Sequence, residues 1–259
     1  MNNIHLCWYL WYTDFMRGGK EAGAGLGDGV GTQLMAKTGR IKGVDMETRE
    51  DNGDGIDSWK EVTLTYNAAL KMIETRMEIL NEEFQHVHRY NPIEHIKSRI
   101  KTPESIVKKL KRDGYESTIE NMKKYINDIA GIRIICSFTS DIYRIVKMIR
   151  EQKDIEVIAG KDYITFPTAR GYKSYHLIVT VPVYLSDRTV DRKVEIQIRT
   201  VAMDFWASLE HKIHYKFEGD VPDYIREELV ECATMVSDLD ARMLKLNEEI
   251  LLISQEHTR

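Results

Sequence analysis

Lys193-Val194-Glu195-Ile196-Gln197-Ile198-Arg199-Thr200 decides how this chain is read. Val194, Ile196 and Ile198 alternate with Glu195, Gln197 and Arg199, and a period of two predicts a β-strand. One face then carries three aliphatic side chains into a core. The other carries a carboxylate, an amide and a guanidinium in a row. On a surface strand such a row is merely solvated, so its meaning depends on what the neighbouring stretches bring to it.

Just upstream, Gly171-Tyr172-Lys173-Ser174-Tyr175-His176 runs into Leu177–Val183. Tyr175, Leu177, Val179 and Val181 alternate with His176, Ile178 and Thr180, which predicts a second strand with a glycine-hinged entry. A tyrosine at such an entry can pack, or can offer a flat face to a nucleobase. A short strand is predicted near Ile155–Ile158. Asp128-Ile129-Ala130-Gly131-Ile132-Arg133-Ile134-Ile135-Cys136 reads as a strand entered from an aspartate, with Arg133 facing away from Ile132 and Ile134. In the following Asp141–Gln152, Ile142, Ile145, Val146 and Ile149 fall at helical spacing. Strand followed by helix predicts a mixed sheet with helices packed on it.

Further upstream, Thr102 and Pro103 are suited to an N-cap and first helical turn. Ser105 and Lys109, four apart, then share a helix face, and Arg99 and Lys101 point one way from an extended lead-in. Three cations and a hydroxyl near a helix N-terminus make a polyphosphate cradle without a P-loop. An ordinary basic amphipathic helix would show the same spacing.

Four motifs stand in order: R-x-K-x-x-x-S-x-x-x-K at Arg99–Lys109, D-I-A-G-I-R at Asp128–Arg133, G-Y-K-S-Y-H at Gly171–His176 and V-E-I-Q-I-R-T at Val194–Thr200. A helix at Ala202–His211 follows them. Together they resemble the synthetase domain of the RelA/SpoT superfamily, over roughly Pro92–Lys216, and by length a stand-alone small alarmone synthetase.

The resemblance implies an α+β fold, a nucleotidyltransferase-like mixed β-sheet flanked by helices, with long N- and C-terminal helices. It also implies (p)ppGpp synthesis, in which the β,γ-pyrophosphate of ATP passes to the 3′-OH of GDP or GTP and leaves AMP. By position, Arg99, Lys101, Ser105 and Lys109 would hold the ATP phosphates and Arg133 would stack on adenine. Asp128 and Glu195 would bind Mg2+, and Glu195 would also activate the 3′-OH. Tyr172 would stack on guanine, with Lys173, His176 and Gln197 at the acceptor nucleotide. Asp204, where some relatives have asparagine, would accept from guanine N1–H and N2–H₂. The residues agree with this chemistry on their own terms. Pyrophosphoryl transfer needs cations, a metal on acidic ligands and a carboxylate beside the nucleophile.

Two alternatives stay open. One is the same transfer to adenine nucleotides or the tRNA 3′ end; the other is a nucleotide- or RNA-binding module without catalysis. RNA binding itself has no support in the sequence. The sequence has no His-Asp dipeptide, so synthesis without hydrolysis is expected. His95 and Lys97 replace an aromatic and a threonine that serve an allosteric alarmone cleft in one branch, which argues against activation by product.

Composition fits. The 259 residues carry a formal net charge of -4, which excludes a globally basic nucleic-acid binder. Cys7, Cys136 and Cys232 make neither a disulfide framework nor a C-x-x-C pair, as expected of a reducing cytoplasm. The apolar run Leu6–Tyr12 is too short to cross a bilayer, so no membrane partner is expected. Of 16 glycines, 11 fall between Gly18 and Gly55, and residues 1–57 read as a flexible segment, with Met35 and Met46 as alternative starts. Gly23–Gly29 misses the G-x-G-x-x-G spacing at Asp28, and Asp51–Gly55 has glycines where an EF-hand wants oxygen ligands. Residues 58–259 read as the synthetase domain with a C-terminal helical extension.

Its first helix is expected to start from an N-cap at Ser58 and to bury a stripe from Trp59 to Phe84. Its last carries Leu229, Cys232, Val236, Leu239, Met243, Leu246 and Ile250 at alternating spacings of 3 and 4, an a/d seam. That seam packs either on the domain's own N-terminal helix or on a second copy. A homo-oligomer, by family resemblance a tetramer, is the expectation.

Overall fold

The computed structural model describes residues 59–88, 90–216 and 221–256. The Gly-rich segment, the Leu6–Tyr12 run, both glycine loops and the Ser58 cap lie outside the described residues. The elements in order are α1 (Trp59–His86), β1 (Ile93–Ile100), α2 (Pro103–Arg112), α3 (Ile119–Tyr125), β2 (Ala130–Cys136) and α4 (Thr139–Arg150). They continue with β3 (Glu156–Asp162), β4 (Tyr175–Tyr184), β5 (Thr189–Thr200), α5 (Val201–Lys216) and α6 (Asp223–Glu256). An α+β fold with a mixed sheet and long first and last helices is what the motifs implied.

The described residues form two compact units: 59–62 with 101–126, and 63–100 with 127–256. The smaller holds α2 and α3. Thr102 caps α2 in extended geometry (φ -68, ψ 151), its Oγ1 accepting from the Ser105 amide, with Pro103 in the first turn. Ile106, Leu110 and Met122 are buried.

The larger unit is built on a five-stranded sheet of order β1-β2-β5-β4-β3. β5 runs parallel to β2 and antiparallel to β4, while β1 and β3 are antiparallel edges. On one face Ile132, Ile134, Val194, Ile196, Ile198, Leu177 and Val179 are fully buried. Each contributes about 1.5–3 kcal/mol of transfer free energy, an aliphatic layer that fixes the register, because a one-residue slip would turn it onto the face of Glu195, Gln197 and Arg199. Pro182 lacks an amide to donate, and it sits in β4 beyond the last residue that β3 pairs, Thr180. α1 buries Tyr66, Ala69, Ile73 and Phe84 of the stripe read from the sequence, and Met77 besides, while Trp59 and Leu80 of that stripe are half-buried.

Of β1 only the end was expected, as the extended lead-in at Arg99, and α3 was not expected. In β1, Ile93, Ile96 and Ile100 stand 3 and 4 apart, a helical spacing, and the pairing with β2 shifts register between Ile93 and His95. The polar face of β5 also departs from a solvated surface. Gln197 and Arg199 are 1% and 0% exposed, so both faces of the strand are covered.

Candidate active site

Cα pairing places the polar side chains of four strands on one face of the sheet. Glu195 lies opposite Gly131 on β2 and Ile178 on β4, and Gln197 lies opposite Arg133 and His176. Arg99 on β1 pairs with Gly131. Paired residues share a face, so Arg99, Arg133, Glu195, Gln197, Arg199 and His176 stand on the side away from the aliphatic layer. Asp128 is buried at the entrance to β2, three residues before the glycine level with Glu195.

The side chains on this face are joined. Gln197 Nε2 donates to Glu195 Oε2 at 3.1 Å, and Gln197 Oε1 accepts from Arg199 Nη2 at 3.0 Å. The second Glu195 oxygen, Oε1, lies 3.4 Å from His176 Nδ1. His176 Nε2 is 2.8 Å from the Tyr172 hydroxyl, which accepts from Arg199 Nη2 at 2.7 Å. Asp204, in the first turn of α5, accepts at Oδ1 from Arg133 at 3.0 Å and Arg199 at 3.1 Å. One carboxylate oxygen thus ties β2 and β5 to the helix that follows.

Burial dominates the electrostatics. It presses the Arg133 pKa down, as does the charge of Arg199, while Asp204 opposes both. It presses the His176 imidazole down against the pull of Glu195, which favours a neutral ring. It pushes the Tyr172 phenol up, with Arg199 opposing.

Tyr172, which the sequence allowed either to pack or to face a base, has its ring packed in the free chain. It is 6% exposed, with the Arg199 guanidinium 5.1 Å from its centroid and the His176 ring edge-on at 5.9 Å. Gly171 before it has φ +84, and a Cβ there would meet Ala233 Cβ of α6 at 2.5 Å. Only glycine fits both the turn and the contact. Lys173 is half-buried, and its charge helps hold down the pKa of Asp240 on α6, which burial raises more strongly. Arg133, expected on adenine, is 1% exposed and paired with Asp204.

In the smaller unit Lys101, Ser105 and Lys109 are all buried, whereas Lys108 and Lys111 are exposed. A merely amphipathic basic helix would keep every ammonium in water, whereas here Lys109 lies on the covered side of α2 with Ser105 and Lys101 is covered just before the helix begins.

Three participants were not assigned from sequence. Arg199 binds Tyr172, Gln197 and Asp204; its period-two position beside Glu195 and Gln197 was the signal that it belonged with them. Tyr163 sets its ring edge-on to His176 at 5.2 Å, and Lys161, paired with His176 across β3 and β4, lowers that histidine's pKa. Neither stood in a recognisable motif.

Among the described residues no group of three or more His, Cys, Asp or Glu is arranged to hold a metal unaided. Asp128 and Glu195 are hard oxygen donors of the kind magnesium takes in small number when a nucleotide supplies the rest, so the donor set fits that ion.

Comparison with known proteins agrees with this layout. Residues 98–220 match the family described as a region found in RelA / SpoT proteins. The GTP pyrophosphokinase YwaC of Bacillus subtilis (strain 168) is 49% identical over 75% of this chain and 93% of its own. The GTP pyrophosphokinase YjbM of the same strain is 33% identical over 74% of this chain and 90% of its own. Small alarmone synthetase 2 of B. subtilis superposes with a TM-score of 0.67 at 48% identity, covering 74% of this chain and 98% of that one. Small alarmone synthetase 1 of B. subtilis, bound to its product pppGpp, superposes with a TM-score of 0.69 at 31% identity, covering 75% and 99%. The chain belongs to the RelA/SpoT family, and among its members it is similar to the small alarmone synthetases.

Proposed function

We propose that this chain is a GTP pyrophosphokinase that transfers the β,γ-pyrophosphoryl group of ATP to the 3′-hydroxyl of GDP or GTP. The observation that carries this reading is the Glu195 carboxylate, held by Gln197 and His176 on a polar sheet face within a chain 49% identical to a GTP pyrophosphokinase. In the reaction the 3′-oxygen bonds to the β-phosphorus, the bond from that phosphorus to the α,β-bridging oxygen breaks, and AMP leaves. Glu195 takes the 3′-hydroxyl proton. A base within hydrogen-bond reach contributes roughly 10²–10⁴-fold.

Arg99, Lys101, Ser105 and Lys109 are assigned to the ATP phosphates and Arg133 to the adenine side. Tyr172, Lys173, His176, Gln197 and Asp204 are assigned to the acceptor nucleotide. Asp128 and Glu195 would hold Mg2+, which neutralises charge on the polyphosphate when bound. Asp204 accepts from two arginines at one oxygen, which suits a residue that must present its carboxylate in one orientation.

The stripe on α6 supports a homo-oligomer, a tetramer by family resemblance. Leu239, Met243, Leu246 and Ile250 are 49–60% exposed in a single chain, so this part of the seam is open to a second copy, while Leu229 and Val236 are half-buried. Among the described residues no helix is long and apolar enough to cross a membrane. We place the activity in the cytoplasm.

The test is purified protein with labelled ATP and GDP, GTP, adenine nucleotides or tRNA in turn. A guanosine 3′-diphosphate product that disappears in Glu195→Gln supports the proposal. Product on the other acceptors alone, or on none, overturns it.

A further inference from the structure

Hydrogen-bond direction on the polar face of β5 can be followed from one end to the other, because an arginine has donors and no acceptor. From Arg199 Nη2 two chains run to the same carboxylate. In the first, Gln197 Oε1 accepts from Arg199 at 3.0 Å, which leaves Nε2 to donate to Glu195 Oε2 at 3.1 Å. A flipped amide would set an NH₂ against the guanidinium and an oxygen against the carboxylate. In the second, the Tyr172 oxygen accepts from Arg199 at 2.7 Å, leaving its O–H for His176 Nε2 at 2.8 Å. That nitrogen is then the ring's acceptor, and Nδ1–H faces Glu195 Oε1 at 3.4 Å.

We infer that Arg199 is the positioning residue for Glu195: through Gln197 and through the Tyr172–His176 pair it sets which atoms are offered to each oxygen of that carboxylate. The inference deepens the proposed function and rests on Glu195 acting at the acceptor hydroxyl. Arg199 is fully buried, so it acts only through the groups it touches. Its fork serves Tyr172, Gln197 and Asp204 at once. A lysine keeps the charge but is a compact ammonium without the planar fork, and it cannot reproduce that pattern. The groups facing His176 are Glu195 and Arg199 on β5, Lys161 on β3, and Tyr163 and Tyr172 in the β3–β4 connection. Of these, only the Tyr172 hydroxyl is shown within hydrogen-bond distance of Nε2.

The experiment reads the His176 tautomer by ¹⁵N NMR at a single pH, on the whole chain without nucleotide, alongside steady-state kinetics. In the wild-type chain His176 carries its proton on Nδ1, the less common tautomer of a free histidine side chain. In Arg199→Lys the Nδ1–H signature is lost or mixed with Nε2–H. Activity falls by about 10–100-fold in kcat, the range for groups that orient a metal-binding side chain, while the KM for ATP stays within twofold. Tyr172→Phe removes a single oxygen and changes the tautomer in the same way, which keeps the inference testable if Arg199→Lys does not fold. An Nε2–H tautomer in the wild-type chain, or a Tyr172→Phe spectrum unchanged at His176, overturns it. So does an Arg199→Lys enzyme with kcat within twofold of wild type. A wild-type chain inactive on every acceptor sinks the proposed function instead and leaves the tautomer measurement standing.

Discussion

Glu210→Gln should make the chain more stable, and only above a definite pH. Glu210 lies on α5 and is 9% exposed, at the wall of a cavity of about 470 Å³ that Ala169, Arg170, Leu229 and Val230 also line. Burial pushes its carboxyl up from 4.5 to about 7, with the charge of Arg170 opposing only in part. A tenfold tighter hold on a proton is worth about 1.4 kcal/mol, so the rise at Glu210 is worth about 3 kcal/mol. The folded chain binds this proton more tightly than the unfolded chain does. Below pH 4.5 the carboxyl is protonated in both states and folding bears no cost. As the pH rises from 4.5 to about 7 the unfolded chain gives up its proton first, and stability falls by about 3 kcal/mol before levelling off.

Glutamine at this position does not titrate, so the variant lacks that slope. Urea unfolding of both proteins, followed by tryptophan fluorescence at several pH values between about 5 and 8, measures the difference. It should grow across that range, leaving the variant ahead by about 2–3 kcal/mol more at pH 8 than at pH 5. Two curves that stay parallel would show that the carboxyl is not held in an environment hostile to its charge.

The contrast between two glycines tests the contact at the head of the Tyr172 segment. Gly171→Ala meets Ala233 Cβ at 2.5 Å as well as the φ +84 strain, whereas Gly114→Ala has φ +81 and nothing within 4 Å. Urea midpoints should report a loss of about 1 kcal/mol for Gly114→Ala and at least about 1–3 kcal/mol more for Gly171→Ala; equal losses would remove the packing argument. Thr102→Ala deletes the cap on α2 and should cost about 1 kcal/mol, read as a shift in the urea midpoint. Leu246→Glu places a charge in the exposed α6 stripe and should lower the mass measured by light scattering at micromolar concentration. A wild-type chain that is already monomeric there would refute the seam as an interface.

Much of the sheet was legible in short-range pattern. The alternation in Lys193–Thr200 specifies a strand and sorts its side chains into two faces before any partner is known, because the backbone pleat has a period of two. Thr102-Pro103 announces where α2 begins, and spacings of 3 and 4 from Leu229 to Ile250 announce a helix. Most of β1 escaped because Ile93, Ile96 and Ile100 have helical spacing, and it became an edge strand by pairing with β2, which lies well beyond it in the chain. Arg199 was visible as a cation in the right row, but not as the residue that binds Tyr172, Gln197 and Asp204 together.

The amino-acid sequence by itself determined most of the elements, the two faces of β5 and the family. Tertiary structure alone decided that the polar face is buried, that Tyr172 is walled in by Arg199 and His176, and that the α6 stripe remains exposed at Leu239, Met243, Leu246 and Ile250. Local periodicity records which side of an element is apolar, because that follows from backbone geometry within a few residues. What covers that side depends on the pairing of segments distant in the chain, and no local repeat encodes it.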